Sequence, residues 1–232
     1  MVPRPDLHDA NAVLTTQTPP GLGKPLLRGW SHGAAAAGAT LVTALLLART
    51  GFSPRLAPVL IFCVSTIELY AVSATLHLGN WRKAAHRVLR ALDHASIYVA
   101  VASAYTPLCV SVLRGWERLA VLAVVWAFAV VGVGLTLFRP YLGRVSRTML
   151  YVAMGWAGLA VLPSVWQLLP AAATGMLMAG GLCYSVGALV YLRHQPDPAP
   201  LVFGYHEVFH LLVIAGNAAV AFVVLTWAMP LL

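Results

Sequence analysis

The chain is predicted to be all α: a bundle of seven transmembrane helices, with the N-terminus on the cytoplasmic side and the C-terminus outside. Three observations predict it. Of 232 residues, 60% are hydrophobic and 9% charged, against roughly a quarter charged in a soluble domain, and the mean hydropathy is +0.80. The apolar residues fall in runs of about 20, the length that crosses a bilayer as a helix. Those runs lack the two-residue alternation of a membrane β-strand and are about twice its length.

Residues 1–28 come first, polar and rich in Pro and Thr, and read as a disordered cytoplasmic tail with no cleavable signal. Residues 29–232 form the transmembrane domain. The first span, about 30–49, ends at Gly51, Phe52, Ser53 and Pro54. The second, about 56–79, ends at the basic stretch 81–90. The third, about 92–113, ends at Arg114 and Gly115. The fourth, about 118–138, ends at Arg139 and Pro140. The fifth and sixth, about 148–169 and 171–192, are divided only by a turn near Pro170. The stretch 195–200 leads into the last span, about 202–228. Small residues such as Gly33, Gly38, Gly132, Gly134, Gly175, Gly180 and Gly181 let helices approach closely.

Orientation follows from the cations, because basic residues accumulate in cytoplasmic loops. With seven spans, one side holds Arg4, Lys24, Arg28, Arg82, Lys83, Arg87, Arg90, Arg139, Arg144, Arg147 and Arg193. The other holds Arg49, Arg55, Arg114 and Arg118. The richer side, with the N-terminus, is assigned to the cytoplasm. The basic excess, 15 Lys and Arg against 7 acids, is thus spread over short loops, which argues against a nucleic-acid surface. Cys63, Cys109 and Cys183 each lie inside an apolar run and are read as packing residues.

Ionisable side chains inside a membrane are costly and mark function. Two histidines, His206 and His210, stand four apart at the start of the last span and share one helical face. With Glu207 between them they spell the H-E-x-x-H string of zinc proteases. The topology puts His77, at the end of the second span, at the same depth. Three neutral imidazoles plus an open position make a catalytic zinc site. Asp93, at the same end of the third span, is placed to act as general base to a water that the metal activates. As an alternative, it is a helix-start acid favoured by the dipole. Ser73 lies one turn before His77, on its face, as a support to the site or a packing serine. His32, His86 and His194 are read as snorkelling or capping residues, and His94 as a structural hydrogen-bonder. Glu207 sits about 100° from His206, turned from the metal or paired with a loop arginine. Glu68, about 13 Å deeper than His77, is read as a buried carboxyl that Asn217 reaches.

Ser73, Ala74, Thr75, Leu76 and His77 match an S-x-x-x-H motif. Leu92, Asp93, His94, Ala95, Ser96 and Ile97, with Tyr105, Thr106 and Pro107, resemble a helix-3 signature. His206 and His210 supply H-x-x-x-H. Together these resemble the hemolysin III family, the bacterial branch of the progestin and adipoQ receptor family, in a membrane hydrolase superfamily that includes alkaline ceramidases. The resemblance covers spans 2 to 7. It implies seven helices, an N-terminus inside, and zinc near the cytoplasmic face on His77, His206 and His210, with Asp93 and Ser73 beside it. The last span departs from it, continuing Ala215, Gly216, Asn217, Ala218, Ala219 without a further histidine.

The expected function is a zinc-dependent hydrolase of the inner (plasma) membrane, acting on a lipid amide or related acyl bond. The partners are a membrane lipid substrate or ligand and the bilayer itself, with no nucleic acid. Three alternatives stand beside it: a sensor whose zinc clamps helices, a pore-forming haemolysin, and an intramembrane metalloprotease using Glu207 as base.

Overall fold

The computed structural model describes residues 24–138 and 143–232, and among these it is helical throughout. The helices are α1 (Trp30–Thr50), α2 (Ala57–Leu78), α3 (Lys83–Val112), α4 (Gly115–Phe138), α5 (Arg144–Trp156), α6 (Leu162–Leu168), α7 (Ala171–Arg193) and α8 (Tyr205–Val223). Among the described residues six stretches are long and apolar enough to cross a bilayer, and there are seven if the bent pair α5–α6 counts as one span. This is a multi-pass membrane protein. With the bent pair as one span, the starts of α1, α3, α5 and α8 and the ends of α2 and α7 lie at one end of the bundle.

The fifth span is broken, with a bend of 49°. Pro163, in the first turn of α6, has no N–H to give the preceding turn. Gly155 and Gly158 add no side chain to resist the bend. A hydroxyl from another helix packs against the backbone just before the break. The Tyr105 hydroxyl, from α3, donates to the carbonyls of Met154 and Gly155 at 2.9 and 2.7 Å.

Helix α3 begins at Lys83, nine residues before the expected span. The basic stretch is therefore mostly helix, and the connection from α2 is only Gly79, Asn80, Trp81 and Arg82. Residues 83–91 contain Ala, Leu, Arg and Lys, good helix formers, with no Gly or Pro to stop the turn. Helices α2, α3, α7 and α8 form the packed centre, while α1 lies at the periphery against α2 and α8. Close approach needs glycine at two contacts. A Cβ on Gly132 of α4 would sit 2.4 Å from the Tyr98 ring, and one on Gly216 of α8 would sit 2.6 Å from the Tyr184 ring. Cys63, Cys109 and Cys183 are unpaired, the first two buried in the packing.

Two sequence expectations need correction. Glu68 is not a buried carboxyl: it lies exposed at mid-span on the outer face of α2, in line with exposed Ile61 and Val64. Asn217 does not reach it. Asn217 instead donates from Nδ2 to the Tyr70 hydroxyl at 2.9 Å and accepts from the Tyr184 hydroxyl at 2.5 Å, joining α2, α7 and α8. The expected tail falls largely outside the described residues. Its described end is docked: the N–H groups of Leu26 and Leu27 bond the carbonyls of Leu201 and Val202, both at 3.0 Å.

A lipid-facing carboxyl opposes insertion, whereas leucine favours it. Replacing Glu68 by Leu is expected to make insertion of α2 more favourable by about 3 kcal/mol and to leave metal content unchanged. A translocon-insertion assay on α2 and metal analysis of the purified variant check both parts.

Candidate metal centre

The site is built where α2 ends and α8 begins. His206 and His210 occupy successive turns of α8 and present both rings to the same side. His77, in the last turn of α2, meets them. Its Nε2 lies 3.1 Å from Nε2 of His206, and one nitrogen from each of the three histidines falls within 4.8 Å of the other two. A tetrahedral zinc with bonds of 2.0–2.1 Å holds its nitrogens about 3.3 Å apart, so the His77–His206 separation is the separation of two ligands. His210 is 2% exposed, and its Nδ1 is buried with no hydrogen-bond partner among the described residues. Leaving such a group unpaired costs about 1–3 kcal/mol, which a metal bond would relieve. Three neutral imidazole donors suit a borderline cation such as zinc, copper, iron or nickel. These histidines form a possible metal site.

The start of α1 closes over this cluster. The His32 ring stacks on the His210 ring, centroids 3.7 Å apart and planes 7° from parallel. His32 is 3% exposed, so it is not the snorkelling residue expected from sequence. Its neighbourhood is polar helix ends, and its ring covers the face of a candidate ligand. Gly29 precedes it with φ 88, and a Cβ there would come 2.8 Å from Cβ of His77. Only glycine permits α1 to begin this close to the candidate ligand.

Arg28 forms an ion pair with Glu207 across this junction. The second oxygen of Glu207 accepts the Gly204 N–H at 2.8 Å, closing the first turn of α8. Glu207 is fully buried and takes no part in the histidine cluster. Its oxygens serve the ion pair and the helix cap, which removes the geometric basis for using it as the base of a protease. A loop arginine as its partner is what the sequence suggested.

Ser73 is buried one turn below His77 and neighbours the Asp93 carboxyl. Both line the cavity that the histidines border, although Asp93 is not among the clustered metal donors. His94 does as expected: its Nδ1 is 2.7 Å from the Arg90 carbonyl oxygen. Its own carbonyl accepts the Tyr151 hydroxyl at 3.1 Å. His194 caps α7 with a left-handed backbone and takes a hydrogen bond from Arg144. His86 lies at the rim of the cavity.

The cavity has a volume of about 500 Å³, within the range of small-molecule sites. One face of α3 runs along it from Arg90 and Asp93 through Ile97, Val101 and Tyr105 to Cys109. That is about 28 Å at 1.5 Å per residue. Polar groups crowd the end at the histidines, and the rest is apolar, with Val152, Leu162 and Val165 from the broken span facing Leu177 and Val213. His32, the arginines of α5 and the Tyr105 contact are the features that the sequence did not disclose. The four-residue spacing of Arg28 and His32 at the start of α1 was the available signal.

The Haemolysin-III related family profile matches residues 21–221. The chain is similar to Hemolysin-3 of Bacillus cereus, 29% identical over 192 residues that cover 83% of this chain and 84% of that protein. It is also similar to a Hemolysin-3 homolog of Bacillus subtilis (strain 168), 32% identical over 165 residues, 71% of this chain and 74% of that one.

Two variants test the construction of the site. Gly29→Ala forces a left-handed backbone on alanine, about 1–2 kcal/mol, and presses on His77; weaker metal binding in a zinc titration is expected. Glu207→Gln is expected to lower the thermal midpoint while metal stoichiometry stays at the wild-type value. Loss of metal from Glu207→Gln with an unchanged midpoint would reverse the assignment of that carboxylate.

Proposed function

We propose that this protein, which belongs to the Haemolysin-III related family, is a zinc-dependent hydrolase of a lipid amide or a related acyl bond. The observation that carries this reading is the three-histidine cluster bordering a long, mostly apolar cavity. A metal that only clamped α2 to α8 would need no such cavity beside it. His77, His206 and His210 would hold the zinc, three protein ligands as in catalytic sites. Zinc, when bound, draws electron density from an acyl carbonyl and lowers the pKa of a water towards neutrality.

The remaining chemistry belongs to the chain. The apolar wall of α3, with the broken span facing it, holds an acyl chain and places its carbonyl beside the histidines. The Asp93 carboxylate accepts a proton from the attacking water and returns it to the leaving nitrogen or oxygen. The Ser73 hydroxyl donates to that carboxylate and fixes its orientation. The stack of His32 on His210 limits the motion of that ring. The bundle is set with its histidine end and N-terminus at the cytoplasmic face of the plasma membrane, because that end carries eleven of the fifteen basic residues.

The relatives' printed names support a second reading, a membrane-lytic protein. The two separate by their dependence on the site. As a hydrolase, purified protein carries one zinc per chain, and His77→Ala loses it. Asp93→Asn keeps the zinc and loses at least ~100-fold in turnover of an N-acyl lipid, the scale of a general base. Turnover that survives both metal removal and Asp93→Asn defeats the hydrolase reading. Vesicle leakage that is indifferent to all three histidines supports lysis instead.

A further inference from the structure

Glu68 lies on the outside of the bundle at the middle of α2, about 15 Å from each end of that helix at 1.5 Å per residue. Its carboxyl has no hydrogen-bond or ionic partner among the described residues. An ionisable group facing lipid at that depth is costly, and such groups are kept where a partner meets them. Among the described residues no Lys or Arg stands at mid-span. The surface of this chain therefore offers no cation at the depth of Glu68.

The exposed residues around it form a pattern. From Ile61 to the end of α2 they are Ile61, Val64, Glu68, Ala71, Thr75 and Leu78. Their spacing alternates between three and four residues, the repeat of a helix seam that packs against a second helix at a small left-handed crossing. The positions between them are buried or half-buried, since α2 packs against α1 and α3. The open face of α2 is thus a stripe one residue wide, with Glu68 in the middle of it. The other hydroxyl-bearing residue of the stripe is already satisfied: Thr75 donates to the Ala71 carbonyl at 2.7 Å.

Copies of one chain insert with one orientation, because the same basic loops set it. A two-fold axis along the bilayer normal places each residue of such a pair opposite its own counterpart, at one depth. A second copy is therefore a partner that brings a polar group to the level of Glu68. A carboxyl that carries a proton donates through one oxygen and accepts at the other, so two of them close a pair of hydrogen bonds without a cation. We propose that this stripe of α2 is an interface between two copies of the chain, with Glu68 hydrogen-bonded to its counterpart at mid-membrane. Ala71 and Thr75, next along the seam, are small enough to let the two helices approach. A single polar residue on a seam also fixes the register of the pair. The pairing stands apart from the hydrolase reading and needs no metal.

Self-association of the full-length protein in phosphatidylcholine vesicles tests this, read as energy transfer between differently labelled copies while protein is diluted into lipid. The wild type is expected to pair and to separate on dilution. Glu68→Leu favours insertion of α2, so poor insertion cannot explain a loss; it is expected to weaken association at least ~10-fold, the scale of hydrogen bonds between helices in a membrane. Glu68→Gln keeps a donor and an acceptor and is expected to stay closer to the wild type than to the leucine variant. In a second measurement, Ala71→Cys is expected to cross-link the two copies on oxidation. Val130→Cys, on the exposed side of α4, is not, and the unsubstituted chain gives the background of the natural cysteines. A wild type that stays monomeric at every dilution overturns the proposal and assigns Glu68 to a different membrane partner. Association unchanged in Glu68→Leu overturns it, and so does a loss in Glu68→Gln as large as in Glu68→Leu. Cross-linking through position 130 as readily as through position 71 overturns the placement of the interface on α2.

Discussion

The meeting of α2 and α8 at their histidines is the contact on which the organisation of this end of the bundle depends. Three imidazoles within 4.8 Å require that the last turn of α2 and the first two turns of α8 share one depth and face one another. Neutral rings gain little from gathering in this way without a cation. The surroundings hold them in place all the same: His32 stacks on His210, Gly29 lets α1 start against His77, and Arg28 joins that start to Glu207. The first helix, peripheral elsewhere, is thereby fixed at the site.

The broken fifth span follows from a second constraint, the need to satisfy every backbone group inside a membrane. A proline and two glycines lie at the bend, and a tyrosine from α3 bonds the carbonyls just before it. The same bend brings the apolar side chains of α5 and α6 to the cavity wall opposite α7 and α8. The arginines of α5 are placed by the first turn of that span. One local irregularity therefore shapes the wall of the cavity.

The positions of the helices were readable because lipid demands about 20 apolar residues in a row, and few charges interrupt these runs. The candidate site was readable for a similar reason. His206 and His210 share a face by helical spacing alone, and an even number of crossings between the second span and the last brings His77, Asp93 and Ser73 to their end of the bundle. Glu207 could be suspected of facing elsewhere because adjacent residues on a helix point about 100° apart. The bend in the fifth span was missed because Pro163 lies within an apolar run that looks continuous.

How each helix is turned about its own axis was not readable. In water an amphipathic stripe shows which side is buried, but lipid is as apolar as a protein core, so both sides of a span look alike. That is why Glu68 was placed inside when it faces outward, and why Asn217 was given the wrong partner. It is also why His32 passed for a surface residue. The sequence by itself determined where the apolar stretches lie, the depth of each polar residue along them and the i, i+4 pair of histidines, since these depend only on length, hydropathy and helical pitch. The tertiary structure alone decided which faces meet: the stack on His210, the Tyr70–Asn217–Tyr184 layer and the lining of the cavity. These arise from packing between helices far apart in the chain, for which the hydropathy of a single helix holds no signal.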